Sequence, residues 1–224
     1  MKTLFAAAVV LSMGLLSGED YLKIFREASQ AEKQKQFAVA EAKYGEALKI
    51  SANSGQKSRA VLGKFRAMRG LKKFKEAEKL ALESVEDESI SFQDARHILN
   101  TVAGTLLWSA RQHEALALLQ QAQNVQCLKS SNIYFSTFYL MAVIYMQRKQ
   151  YQAAIEVLGN VAAVREQHPA NLYTANLMTG NALERLGKKS EALKYFRTAL
   201  ENGKKVRYKF NFSQAEKAIE RLSK

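Results

Sequence analysis

Three arginines, Arg59, Arg66 and Arg69, fall at spacings of seven and three, which places them on one face of a helix. A guanidinium is planar and presents paired N–H donors, so such a row would hold carboxylates or phosphates bidentately. Little else in the chain offers chemistry. There is no nucleophile elbow, phosphate-binding loop or metal-ligand spacing. The acids are mostly single glutamates such as Glu41, Glu46 and Glu76, and the run Glu86-Asp87-Glu88 reads as solvated at a helix end. His97, His113 and His168 show no pairing, and the lone Cys127 has neither a base beside it nor a disulfide partner. A single thiol in a helical chain reads as a small buried hydrophobe. These residues point to a non-catalytic protein that needs no metal or cofactor.

The charge around the arginine row is uneven. Net charge is +13 over 224 residues. Residues 57–79 hold nine Lys/Arg against Glu76 and Glu78, and residues 188–224 hold eleven against four Glu. The stretch 80–187 is slightly acidic, with seven basic and nine acidic residues. The C-terminal block reads first as a solvated helical surface. A basic balance alone would admit nucleic acid, but the export signal described below argues against it. An anionic membrane surface or cell-wall polymer fits that compartment better.

The elements that must position these groups are repeated. The segments Phe37-Ala38-Val39-Ala40, Phe74-Lys75-Glu76-Ala77, Gln112-His113-Glu114-Ala115, Tyr151-Gln152-Ala153-Ala154 and Lys189-Ser190-Glu191-Ala192 each end on alanine, in steps of 37, 38, 39 and 38 residues. Apolar residues recur at helical spacing almost throughout, and Pro169 is the only proline. A fixed period of this length means like units stacked on one another, which yields an extended surface rather than a closed pocket. Turns are expected at Arg69–Lys73, Arg148–Gln150 and Leu186–Lys189. Links between units are expected at Asn53–Gln56, Asp87–Ser89, Ser130–Asn132 and His168–Asn171.

The pattern resembles the tetratricopeptide repeat family, in which each unit is an antiparallel helix pair. That family places small residues at the eighth and twentieth positions and large ones at the fourth, seventh, eleventh, seventeenth and twenty-fourth. With each alanine above at the twentieth position, the fourth unit matches through Phe138, Met141, Ala142, Tyr145, Tyr151, Ala154 and Leu158, and the fifth through Gly180, Leu183, Ala192, Phe196 and Ala199. The second unit departs, with Phe65 at position eight. The steps also exceed the family's common 34 residues. The resemblance implies an all-α fold: a right-handed superhelical solenoid of five helix pairs over about 21–54, 58–91, 96–129, 135–168 and 173–206. A capping helix over about 213–223 would close it, begun by a box of Ser213 with Glu216. Residues 19–224 then form a single domain.

The same register implies a concave, partner-binding groove. It sets Arg59, Arg66 and Arg69 at positions two, nine and twelve of the second unit, with His97, Asn100 and Trp108 in the third, Tyr139 in the fourth and Asn181 in the fifth. Aromatics left partly exposed are typical peptide anchors. The family's peptide clamp uses Lys and Asn where this chain has Phe25 and Ser29, so that specificity is not carried over. The implied function is a scaffold or adaptor that captures a protein or peptide, with the arginines favouring acidic partners. The alternatives are electrostatic attachment to an anionic surface and a self-associating structural subunit.

Residues 1–18 carry the three regions of a secretory signal peptide: basic Met1-Lys2, an apolar run from Leu4 to Leu16, and small Ser17-Gly18. The run is too short to span a bilayer comfortably. Leu15-Leu16-Ser17-Gly18 resembles a lipoprotein box, but Glu19 stands where that box needs cysteine, so no lipid anchor is expected. The mature chain would begin near Glu19 and work in a periplasm or outside the cell.

Overall fold

The computed structural model describes residues 18–207 and 210–224. The proposed leader, apart from Gly18, lies outside them. The described residues form eleven helices and no strand. They are α1 (Gly18–Lys33), α2 (Phe37–Lys49), α3 (Ser54–Gly70), α4 (Phe74–Glu86), α5 (Phe92–Trp108), α6 (Gln112–Asn124), α7 (Asn132–Gln147), α8 (Tyr151–Ala162), α9 (Pro169–Arg185), α10 (Lys189–Lys204) and α11 (Ser213–Leu222). The first ten make five consecutive pairs. They fall into two compact units that meet within α5, one ending at Ile98 and the other starting at Leu99.

The five alanines explain the pairing. Ala40, Ala115, Ala154 and Ala192 are 0% exposed and Ala77 is 1% exposed. Each sits on the second helix of its pair, where a side chain of one methyl lets neighbouring axes approach. The Phe65 departure has a local reason. Phe65 is buried, and close approach is supplied two residues earlier by Gly63. A Cβ on Gly63 would lie 2.3 Å from the Tyr44 ring, so the α3 backbone is seated on that ring. In the later unit Gly180 does the same for Phe196, at 2.6 Å.

All five pairs turn alike. Lys35, Lys72, Ala110, Lys149 and Gly187 have φ of 60°, 61°, 60°, 59° and 78°. The next residue's N–H closes a six-residue Schellman loop. Those bonds are Gln36 to Ala31, Lys73 to Met68, Arg111 to Leu106 and Lys188 to Leu183 at 2.9 Å, and Gln150 to Tyr145 at 2.8 Å. Only one of the five left-handed residues is glycine, so four turns carry a Cβ cost of about 1–2 kcal/mol. Several links also start helices as their residues suggest. Asn53 accepts from the Gln56 N–H (2.9 Å), Ser131 from Tyr134 (3.1 Å), and His168 Nδ1 from Ala170 (3.2 Å) ahead of Pro169.

Helix α11 covers the last pair. Ala215 and Ala218 are buried with Tyr173, Leu177, Leu183, Ala192, Phe196 and Ala199, and Ile219 and Leu222 pack beside them. Phe210 meets Tyr173 edge-on at 5.0 Å. The expected Ser213–Glu216 box does not form. Phe212 is the N-cap and makes no side-chain cap; Asn211 Oδ1 instead accepts from the Ser213 N–H at 3.0 Å. Ser213 is thus already inside the helix, one position too late to cap it.

Candidate functional site

In residues 18–98 the arginine row lies on α3, and its members have different surroundings. Arg66 grips Glu32 with both prongs: Nε donates to Oε1 at 2.8 Å and an Nη to Oε2 at 3.2 Å. The Tyr44 hydroxyl donates to the same carboxylate at 2.7 Å. Burial desolvates Glu32 and pushes its pKa up. The Arg66 and Tyr44 hydrogen bonds and the charges of Arg66 and Arg69 outweigh this and hold it below the ordinary carboxylate value. The Tyr44 phenol moves up, first by burial and then by the Glu32 bond and charge. Arg59 is exposed, and its Nε donates to the Gly55 carbonyl of its own helix at 3.1 Å. Arg69 is exposed too. The row therefore already holds one carboxylate, supplied by α1.

Helix α5 carries His97, Asn100 and Trp108. His97 is exposed, Trp108 is 73% exposed, and Asn100 is 4% exposed. Asn100 joins helices: Nδ2 donates to the Ile133 carbonyl at 2.9 Å, and Oδ1 accepts from Thr137 Oγ1 at 3.0 Å. Further along, a Cβ on Gly104 would reach Leu140 at 3.7 Å. Asn100 meets Thr137 and Gly104 meets Leu140, so α5 and α7 run parallel. On this register Trp108 lies beyond the middle of α7. Tyr139 is five or six residues, about 8 Å, back along the axis from that level. The two aromatics do not come together.

Helix α7 is apolar on nearly every side. Phe138, Met141, Ala142 and Ile144 are buried. Phe135, Tyr139, Val143 and Met146, at spacings of four, four and three, form a second stripe that stays half-buried. Phe135 and Tyr139 stack at 5.5 Å with 28° between their planes. This stripe leads toward a concavity of about 690 Å³ lined by Met146, Asn181, Glu184, Arg185, Lys189 and Arg221. Arg221 donates to Glu184 there at 2.7 Å. Of the expected site residues, Asn181 alone lines this space.

Sequence reasoning named Tyr139 without the rest of its stripe, and missed Glu32, Arg185, Lys189 and Arg221. One signal was available. Lys189 stands where three other repeats carry Phe37, Phe74 and Tyr151. Glu32 gave no such signal, because its partner lies 34 residues away in the next repeat. Cys127 is half-buried in the link after α6 and not in a helix. Among the described residues no group of His, Cys, Asp or Glu is placed to hold a metal ion, and no helix is long and apolar enough to cross a membrane.

No protein-family model and no curated protein matches the chain. Solved structures do. The chain is similar to the MamA protein, with a TM-score of 0.56 and 19% identity, over 84% of this chain and 94% of that one. It is similar to BtubC (BKLC) from P. vanneervenii, with a TM-score of 0.60 and 16% identity, over 93% and 92%. It is also similar to YrrB, described as a TPR protein with an unusual peptide-binding site, with a TM-score of 0.54 and 15% identity, over 88% and 90%. Identities this low speak to fold alone, and the fold they share with this chain is that of the tetratricopeptide repeat: consecutive antiparallel helix pairs with small residues at the crossings.

Proposed function

We propose that the protein is a non-catalytic interaction scaffold that captures a segment of a partner protein along α7. The observation that carries this reading is the second apolar stripe of α7. A helix needs one buried face to join its repeat, and Phe138, Met141, Ala142 and Ile144 supply it. Phe135, Tyr139, Val143 and Met146 are surplus to that need and remain half-buried. Apolar surface left open on a helical repeat is a docking surface for an extended or helical segment. YrrB, of similar fold, is described as having a peptide-binding site, which favours the same use here.

Export through residues 1–18 belongs to this proposal. N-terminal sequencing of the protein from its natural host should begin near Glu19, and an intact Met1 start would remove it. The competing reading, attachment to an anionic surface through the basic C-terminal block, differs in salt dependence. At about 0.5 M salt the Debye length is roughly 4 Å, and purely electrostatic attachment is lost. The test is recovery of bound protein from cell extract at low and at about 0.5 M salt. A partner that survives high salt, and is lost on Tyr139→Ser, supports capture by α7. Binding that disappears with salt and ignores Tyr139→Ser contradicts it.

A further inference from the structure

The cavity at the end of the α7 stripe carries more charge than the fold needs. Its lining holds Arg185, Lys189 and Arg221 against one carboxylate, Glu184. Glu184 is already paired with Arg221 at 2.7 Å. Asn181 and Arg185 lie one turn apart on α9, and Lys189 opens α10. None of these three side chains makes a hydrogen bond or ion pair among the described residues, whereas the Arg66 fork of the earlier unit is closed by Glu32. Two uncompensated cations and an amide thus line one recess. Packing does not ask for the Lys189 charge, since the residue is exposed and the matching place holds Phe37, Phe74, Gln112 and Tyr151 in the other repeats. Met146 belongs to both features: it ends the apolar stripe and lines the cavity.

Resting on the α7 reading, we propose that the partner segment is acidic and that this cavity reads one of its carboxylates. Arg185 and Lys189 would hold the carboxylate, Asn181 would donate to it, and an apolar side chain would sit on Tyr139. Tyr139 and Met146 are seven residues apart, about 10.5 Å along a helix. An extended chain covers that distance in about three residues. The segment recognised therefore carries an aromatic or large aliphatic residue and an Asp or Glu three positions away. The site is a half-open concavity at the end of an apolar track, with Arg185 and Lys189 exposed at its edge. That geometry suits a side chain presented by a peptide better than a flat sheet of lipid phosphates.

A random dodecapeptide phage library selected on the full chain tests this directly. The enriched peptides are then measured by fluorescence anisotropy, beside vesicles of phosphatidylglycerol. The expected result is enrichment of an apolar residue three positions from Asp or Glu. Replacing that acid by its amide should weaken binding at least about tenfold. The double variant Arg185→Gln with Lys189→Gln should abolish this discrimination, while Lys194→Gln with Arg197→Gln, which removes the same charge from the exposed face of α10, should keep it. Apolar peptides enriched with no acid preference would overturn the cavity assignment and leave the α7 reading standing. No enrichment at all would overturn both. Vesicle binding that depends on Arg185 and Lys189, without acidic peptides, would assign the cations to a lipid surface and also overturn the proposal.

Discussion

Residues 18–98 and residues 99–224 both display arginines on the first helices of their pairs, and the two regions use them differently. On α3 the Arg66 guanidinium meets Glu32 of the preceding pair, and Tyr44 buttresses the same carboxylate. That cluster ties two repeats together. At the other end, Arg185 and Lys189 face open space beside Asn181. On α3 the guanidinium is closed by an acid of the neighbouring repeat, whereas the Arg185 and Lys189 side chains have no such acid among the described residues. Charge counting along the chain does not distinguish Arg66 from Lys189, each of which falls in a basic block. What separates them is whether a neighbouring repeat supplies the acid.

The largest test of the later region is removal of its cover. A chain ending before Ser213 should uncover Tyr173, Leu183 and Phe196, and should aggregate at concentrations where the full chain does not, as read by light scattering. A soluble truncation with the same melting point would deny α11 its covering role.

Backbone seating sharpens the comparison next. Gly63→Ala and Gly180→Ala both drive a Cβ into a ring, Tyr44 and Phe196 respectively. Each should cost about 1–3 kcal/mol by overpacking. Gly63→Ala should cost more, because the Tyr44 hydroxyl is held by Glu32 and the ring cannot slide freely. Denaturant melts with equal, negligible shifts would mean that neither helix is seated on its ring.

The charge clusters themselves follow. Glu32→Gln strips the carboxylate from Arg66 and Tyr44 and should destabilise by about 1–2 kcal/mol. Glu184→Gln breaks a pair with the exposed Arg221 and should cost less than about 0.5 kcal/mol. The pH dependence has a fixed sign. Folding lowers the Glu32 pKa, so its contribution is present above the unfolded carboxylate value of about 4.3 and is lost as pH falls through the folded value. The melting point of the wild type should fall on acidification below about pH 4, and part of that fall should be missing in Glu32→Gln.

The smallest effect is expected in the turns. Lys149→Gly removes a left-handed Cβ and should raise stability by about 0.5–1 kcal/mol net of the added chain entropy, whereas Gly187→Ala should lower it by about 1 kcal/mol. Thermal melts decide this, and a destabilised Lys149→Gly would contradict the left-handed assignment.

The fold was legible because its rule is periodic and local. Five alanines in step mark five helix crossings, and all five are buried. The left-handed turns were hidden because Lys or Ala, not Gly, occupies four of them: the recurring six-residue hydrogen bond over-determines the backbone, so residue type no longer reports it. Phe65 looked like a broken repeat because the small residue had moved to Gly63. The site was legible only in part. Tyr139 and Asn181 could be placed by register. The pairing of Arg66 with Glu32, the burial of Asn100 between α5 and α7, and the pairing of Arg221 with Glu184 all depend on contacts between repeats or with the covering helix, and a one-repeat register does not encode those. Ser213 illustrates the limit at one position, since shifting the helix start by a single residue turns an expected cap into a first-turn residue.

The most direct test of the account is photo-crosslinking in cells with a reactive amino acid at position 139, read by mass spectrometry, with position 207 as the comparison. Capture along α7 should give one dominant protein product at 139. No product at 139, with strong products at 207 in the basic C-terminal segment, would contradict it and move the interface off the α7 stripe.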